Sequence, residues 1–535
     1  EPMNCQQGDA LPVSAFRGME DGTFPTNTTR FEKRGISLTV PEWSARECLQ
    51  CNQCSLACPH SVLRPLLLTE EQKNNAPDAI CEGSVIAKGY KDRSYYMGIS
   101  PLDCTGCGNC IDVCPAKGKA LKMIPIEESE EQSNWDFVSH FTLENPPEGL
   151  LSTIKGSQFL KPYFEFSGAC AGCGETTYAK LITQLFGDRM MISNAAGCTT
   201  VWGGSAPSVP FTQDENGYGP CWGFSLFEDN AEYGLGMFLG YCVVREEIRT
   251  KLENICTRIG ETNDIAQLQL LEAINEWEQN YDEGEETRKR SAKLIKMLEK
   301  NLELDGVKEI LERKDYLIKR SNWIFGGDGW AYDIGYGGLD HVMSTGNDVN
   351  VMVFDTEVYS NTGGQASKST PRAAIAKFAA AGKSGRKKDL GKMIMGYGNV
   401  YVAQIAIGAN PSQALKAIRE AEAYHGPSLI IGYAPCVNHG IKGGMGKTQS
   451  HEKKAVESGY WNLYRYNPSL KEQGKNPFQL DSGEPKIPFK DFLMSEVRYM
   501  SLMQRDPELA EELFRQAQED AHNRFEEYKR LSLSL

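Results

Sequence analysis

Apolar positions divide this chain into stretches of different character. Over residues 1 to about 40 they are scattered among Gly8, Pro12, Gly18, Gly22, Pro25 and Gly35, which predicts an extended linker with no core of its own. From 41 to 125 the main apolar run is residues 62–68, too little hydrophobic mass to fold unless metal supplies cohesion. Residues 126–160 are rich in Glu, Ser and Asn with interspersed Pro, and read as a second linker. From 161 to 450, apolar runs such as 323–325 and 349–354 alternate with helical stretches, the pattern of an α/β domain with a mostly parallel sheet flanked by helices. Within it, Ile265, Leu268, Leu271, Ile274 and Trp277 recur every three residues, and Leu294, Ile295, Leu298 and Leu302 repeat helical spacing among charges, so about 245–320 is predicted to be a helical insertion. Residues 451–535 read as a polar, Pro-rich C-terminal extension closing in a charged helix that starts near Asp506-Pro507-Glu508.

At 535 residues the chain has room for three or four domains of ~150 residues each. The net charge is −14, from 71 acidic and 57 basic side chains, without basic runs interleaved with aromatics, so nucleic acid is not an expected partner. No apolar run approaches the ~20 residues that span a bilayer, and the first thirty residues lack a signal-peptide pattern. The expectation is a soluble, unsecreted, cytoplasmic protein without a membrane partner. Seventeen cysteines in short regular spacings then argue for reduced thiolates bound to metal rather than for disulfides, and the Asn27-Thr28-Thr29 sequon should carry no glycan. Glu1 is not an initiator, which fits a processed or divided terminus.

The run Cys48-x2-Cys51-x2-Cys54-x3-Cys58-Pro59 is repeated as Cys104-x2-Cys107-x2-Cys110-x3-Cys114-Pro115, and each matches the spacing that ligates cubane iron–sulfur clusters. Three thiolates on a tight loop hold three corners of a cube, while the fourth points to the other cluster. One [4Fe-4S] cluster is therefore expected on Cys48, Cys51, Cys54 and Cys114, the other on Cys104, Cys107, Cys110 and Cys58. Together they predict a small α+β bacterial-ferredoxin-like domain over 41–125. Zinc is the competing reading, but zinc knuckles use two thiolate pairs rather than this triple spacing.

A second pattern lies at two predicted strand ends. Residues 323–330 read as a buried strand running into Gly326-Gly327-Asp328-Gly329-Trp330, and 349–354 deliver Asp355, Thr356, Glu357, Val358, Tyr359, Ser360 and Asn361. A diphosphate needs a divalent ion, and Mg²⁺ wants oxygen ligands that include a carboxylate, which Asp328 supplies. The flanking glycines allow close backbone approach. The spacing resembles the thiamine diphosphate fingerprint, with Thr356 standing where Asn is usual. Alone, Gly-Asp-Gly is more often a turn; the second segment makes the difference. Gly446-Lys447-Thr448 lacks the upstream glycine of a phosphate loop, since that position is Ile441. Cys170, Cys173, Cys198 and Cys436 are ambiguous on spacing, because dispersed cysteines are often buried apolar residues.

These segments in this order, with Cys170-Ala-Gly-Cys173-Gly-Glu175 between them, resemble pyruvate:ferredoxin (flavodoxin) oxidoreductase over nearly the whole chain. The resemblance implies a third [4Fe-4S] cluster on Cys170, Cys173, Cys198 and Cys436. It implies thiamine diphosphate contacts from Glu175, Cys198, Gly327, Asp328, Gly329, Trp330, Thr356, Glu357, Val358, Tyr359, Ser360 and Asn361. Mg²⁺ would take Asp328, Thr356 and the Val358 main-chain oxygen, and Asn361 would also face the substrate as the catalytic side chain. Oxidative decarboxylation of pyruvate with coenzyme A to acetyl-CoA and CO2 is implied, with electrons leaving for ferredoxin or flavodoxin. So is a homodimer of the complete enzyme in an anaerobic cell, or in an organelle such as a hydrogenosome. Nothing in residues 1–40 could be the pyrimidine-binding domain, so the chain reads as a C-terminal half, inactive without an N-terminal half that brings that domain and the coenzyme A contacts. The competing expectations are an enzyme for another 2-oxoacid and an electron-transfer module without catalysis.

Overall fold

The computed structural model describes residues 2–3, 5–205, 207–261 and 263–533. The first lobe holds a two-stranded antiparallel sheet, β1 (Thr39–Trp43) with β5 (Leu121–Pro125), and a three-stranded sheet in which β4 (Ser94–Ile99) lies between β2 (Leu63–Leu68) and β3 (Val85–Ile86). The apolar run of 62–68 forms β2, and its Leu63, Leu66, Leu67 and Leu68 lie in the core of this lobe.

The expected linker over 126–160 is folded. Helix Gln132–His140 buries Trp135 and Val138 in that same core, and Leu150 and Phe159 join them. Gly98 of β4 makes room, since a Cβ there would stand 2.6 Å from Val138. Among the described residues before β1, the only helical elements are short 3-10 turns. They are nevertheless tied to both lobes: the amide of Gly35 donates to Leu102 at 2.9 Å and that of Asn27 to Phe211 at 2.7 Å.

The second lobe is built on one eight-stranded sheet. Its strands are β6 (Met190–Ala195), β7 (Cys221–Ser225), β8 (Ser321–Gly327), β9 (Asn350–Asp355), β10 (Tyr401–Ile405), β11 (Ser428–Tyr433), β12 (Tyr464–Tyr466) and β13 (Phe478–Leu480). Their order is β13-β12-β10-β11-β9-β8-β6-β7, parallel from β10 to β7, with β12 and β13 added antiparallel. The central strands are apolar on both faces, as a sheet covered by helices on each side requires. The sheet does not end at 450. β12 and β13, only three residues each, extend its edge, and helix Pro507–Leu533 buries Leu513, Phe514, Phe525 and Tyr528. The supposed extension thus belongs to the α/β core.

The helical excursion begins earlier than its periodicity announces, with the 30-residue helix Asn230–Ile259. Gly234 on that helix faces β6 and β8, where a Cβ would lie 2.4 Å from Ser193 Oγ and 2.5 Å from Ile324. In helix Ile265–Gln279 the buried residues are Leu270, Ala273, Ile274 and Trp277, while Ile265 and Leu268 are exposed. A strict three-residue repeat drifts around a helix of 3.6 residues per turn, so only part of it faces inward.

Candidate functional site

The eight cysteines of the two runs ring two separate small cavities. Cys48, Cys51, Cys54 and Cys114 line one, under Trp43, Tyr95 and Leu121. Cys58, Cys104, Cys107 and Cys110 line the other, beside Pro41, Val62 and Met123. Equivalent turns build both: Gln50 and Asn52 have φ of 58° and 60°, and Gly106 and Gly108 have 67° and 84°. Left-handed backbone at every second residue turns the intervening cysteines inward. Main-chain amides of Gln50, Val62, Gly106 and Ala120 face the sulfurs of Cys48, Cys58, Cys104 and Cys114 at 3.3–3.4 Å. Among the described residues no three His, Cys, Asp or Glu side chains converge on one metal-ion position. Thiols spread around a cavity suit the corners of a cube better than the tight sphere of a zinc ion. Burial, with neighbouring thiolates adding to it, raises Cys107 to about 11, and burial raises Cys104 to about 12, so ligation must displace protons.

The remaining candidates gather at the carboxyl ends of β6, β8, β9 and β11, where open α/β sheets receive ligands. β6 leads to Cys198, β8 to Asp328, β9 to 356–361 and β11 to Cys436. Glu175, Cys198, Gly327, Asp328, Gly329, Val358, Tyr359, Ser360 and Asn361 line a shared cavity with Phe227. Cys198 Sγ lies 3.1 Å from Ser360 Oγ, and Cys173 and Cys436 are its charge neighbours, with Cys170 next to Cys436. Glu175 accepts a 2.6 Å bond from Trp202 Nε1, and burial lifts its carboxyl to about 7.

Three oxygens of different kinds meet at the strand ends. Thr356 Oγ1 is 3.0 Å from both Asp328 Oδ1 and the Val358 carbonyl, and Ser367 donates to Asp328 Oδ2 at 2.5 Å. Burial and the neighbouring Asp355 push the Asp328 carboxyl well above its usual range. A carboxylate, a hydroxyl and a carbonyl in a negative, buried spot form a donor set that fits Mg²⁺. Gly327 presents an open face, whereas a Cβ on Gly329 would strike the Tyr359 ring at 2.5 Å.

Three expected contacts do not line this cavity: Thr356, which reaches it only through its bonds to Asp328 and the Val358 carbonyl, and Trp330 and Glu357. The Trp330 indole is fully buried in the core, so only its backbone is available. Glu357 has φ of 61°, and its side chain turns to the far side of the loop. There it meets Lys387 at 2.9 Å, Arg498 at 2.6 Å and Tyr460 at 2.5 Å. Burial opposes its ionisation, yet Lys387 and Arg498 outweigh this and hold the carboxyl down to about 2. Arg498 also pairs with Glu496 at 2.5 Å, and Lys387 with Asp355 at 2.9 Å. His439, lowered to about 4 by burial and Arg498, donates from Nε2 to the Thr356 carbonyl at 2.7 Å. This buried network braces the loop that presents Thr356 and Val358. His439 was visible beside Cys436 in the sequence, but Ser367, Lys387 and Arg498 carry no local signal.

The segment rejected as a phosphate loop joins the two lobes. The Asn109 side-chain amide lies 3.2 and 2.9 Å from the carbonyls of Met445 and Gly446, Lys447 pairs with Asp112 at 2.5 Å, and Thr448 donates to Gly172 at 2.7 Å. The Gly172 amide in turn faces Cys107, bringing the Cys170–Cys173 loop against the second thiol cavity.

Family models match three stretches: a 4Fe-4S dicluster domain at 47–118, the C-terminal TPP-binding domain of thiamine pyrophosphate enzymes at 311–431, and a domain of unknown function at 1–37. Fold and site together define an iron–sulfur protein with a thiamine diphosphate-binding α/β domain. The chain is 55% identical over 537 residues to a pyruvate-flavodoxin oxidoreductase of Klebsiella pneumoniae, covering 99% of this chain and 45% of that one. It is 51% identical over 544 residues to a pyruvate:ferredoxin oxidoreductase of Moorella thermoacetica, again 99% and 45%. A pyruvate dehydrogenase [NADP(+)] of Cryptosporidium parvum is 44% identical over 574 residues, 99% of this chain and 29% of that one. The chain is similar to pyruvate:flavodoxin and pyruvate:ferredoxin oxidoreductases along almost its whole length, and spans less than half the length of these relatives. No helix among the described residues is long and apolar enough to cross a membrane.

Proposed function

We propose that this chain is the C-terminal half of a pyruvate:ferredoxin or pyruvate:flavodoxin oxidoreductase, holding three [4Fe-4S] clusters, Mg²⁺ and thiamine diphosphate. The reaction converts pyruvate and coenzyme A into acetyl-CoA, CO2 and a proton, releasing two electrons to the carrier. When bound, thiamine diphosphate supplies the electron sink for decarboxylation, and the clusters accept electrons singly. The observation that carries the reading is Cys198, which lines the strand-end cavity and also belongs to the third thiol set. Substrate oxidation and electron removal therefore share one wall.

The residues of the chain have distinct tasks in this reading. Asp328, Thr356 and the Val358 carbonyl would hold the cation that neutralises the diphosphate, and Glu175, oriented by Trp202, would contact the cofactor. Asn361, exposed at the cavity mouth, faces the substrate. Gly172 against Cys107 gives electrons a short way into the second thiol cavity, and the Cys54–Cys58 turn joins that cavity to the first. The missing half brings the pyrimidine-binding domain, the coenzyme A contacts and most of the substrate pocket, and the complete enzyme forms a homodimer in an anaerobic cell or organelle.

The test is anaerobic: the purified chain is mixed with pyruvate, coenzyme A, Mg²⁺, thiamine diphosphate and methyl viologen, with and without the remaining half. Iron and sulfide for three clusters, and turnover only with both halves, are expected. Turnover by the chain alone overturns the half-enzyme assignment. Faster turnover of 2-oxoglutarate or an aromatic 2-oxoacid overturns pyruvate, and no turnover from reconstituted halves overturns catalysis altogether.

A further inference from the structure

Helix Thr176–Phe186 follows directly on Glu175, and Lys180 in its middle is 1% exposed. Its Nζ crosses into the first lobe and donates to three main-chain carbonyls, those of Ser55, of Leu56 at 3.0 Å and of Cys58 at 3.2 Å. Among the described residues no carboxylate pairs with it; the titratable groups that act on it are the sulfurs of Cys58 and Cys54 and the cation Arg64. Carbonyl acceptors at the end of a short helix need a donor, but a neutral donor would serve them. A buried ammonium without an anion is strongly disfavoured, so a fully buried, unpaired Lys signals a negative charge that the polypeptide alone does not supply.

The location says which charge this is. Cys54 lines one thiol cavity and Cys58 the other, so the turn beneath Lys180 sends one sulfur to each. A cubane cluster with four sulfides and four thiolates is an anion in both oxidation states, more so when reduced. We propose that Lys180 is the shared counter-cation of the two ferredoxin-lobe clusters, a positioning residue that raises their reduction potentials and fixes the lobe against the thiamine domain. The inference rests on the cluster reading given above. A cation beside a cluster stabilises the state with the extra electron, so electrons leaving the third thiol set run downhill into the lobe. Removing the charge leaves those electrons nearer the substrate.

The experiment is an EPR-monitored redox titration of the complete enzyme, purified anaerobically. Lys180→Gln keeps hydrogen-bond donors and removes the charge, and Lys180→Arg keeps both. In Lys180→Gln the midpoint potentials of both ferredoxin-lobe clusters are expected to fall by about 59 mV, tenfold in the reduction equilibrium of a one-electron couple, with the third cluster shifted less and Lys180→Arg close to wild type. Gln184→Glu, one turn along the same helix face, provides an independent arm if Lys180→Gln does not assemble. It offsets the Lys180 charge without cutting the tether, and a smaller fall in the same two potentials is expected. Unchanged potentials in these variants, with only thermal stability reduced, overturn the counter-cation role and leave a helix-end tether. Wild-type enzyme without iron or EPR signals would instead overturn the cluster reading itself, and this inference with it.

Discussion

A Cβ on Gly446 would stand 2.2 Å from the carbonyl oxygen of Cys107, so glycine is the residue that lets the 445–448 segment close on the second thiol cavity. Gly446→Ala must push the Cys107 loop aside, at a cost of about 1–3 kcal/mol. Thermal unfolding of the complete enzyme should show that loss. In a chelator time course followed by EPR, the signal of a cluster held in that cavity should be lost first.

Asp328→Asn separates binding from stability. Burial and Asp355 both disfavour the Asp328 charge in the bare chain, so a neutral isostere should raise its stability, by about 1–2 kcal/mol. The same change removes the carboxylate that a divalent ion requires, and Mg²⁺-dependent thiamine diphosphate binding, followed by calorimetry, should weaken by tenfold or more. A variant that is stabilised yet still binds normally would exclude Asp328 as a cation ligand.

Glu452 gives the bare chain a distinctive pH dependence. It is fully buried, accepts from the Gly408 amide at 2.9 Å and the Tyr178 hydroxyl at 3.3 Å, and burial raises its carboxyl from 4.5 to about 8. The folded state therefore holds a proton that the unfolded state releases above pH 4.5. Its contribution to stability is present below that pH and is lost as pH rises toward 8. Denaturant unfolding should show Glu452→Gln more stable than wild type at pH 8 and little changed at pH 4.5.

Arg498→Met leaves Glu357 and Glu496 without their shared cation. Removing one partner of a buried ion network costs about 3–5 kcal/mol, and the urea midpoint should fall accordingly. Because the network braces the Thr356 loop through Glu357 and through His439, thiamine diphosphate affinity should fall with it. Glu357→Gln should weaken binding less than Asp328→Asn, because its side chain faces away from the cavity.

What could be read from the chain was what is local to it. Cysteine spacings fix loop geometry within a few residues, and Gly-Asp-Gly with Thr356 marks two strand ends that must neighbour each other in a parallel sheet. Tertiary packing escaped that reading. β12 and β13 are only three residues long, helix Gln132–His140 offers little more than Trp135 and Val138 to a hydrophobic scan, and the glycines of 234–240 mask the start of the long helix. The direction of the Glu357 side chain escaped too, because one left-handed residue reverses a side chain within a loop of otherwise ordinary backbone. Lys180 did leave a trace: it is the lone charge in the otherwise uncharged helix of 176–186.

The crossed arrangement of the thiols also bears on biosynthesis. Cys58 faces a cavity whose other walls are Cys104, Cys107 and Cys110, and Cys114 completes the one begun by Cys48. If each cavity takes a cluster, a nascent chain that has emerged only as far as Cys58 offers no finished site, however long the ribosome pauses. The first four-thiol set is complete only with Cys110, and the second follows four residues later with Cys114. Cluster delivery would then wait for the whole lobe, and the two insertions would come almost together.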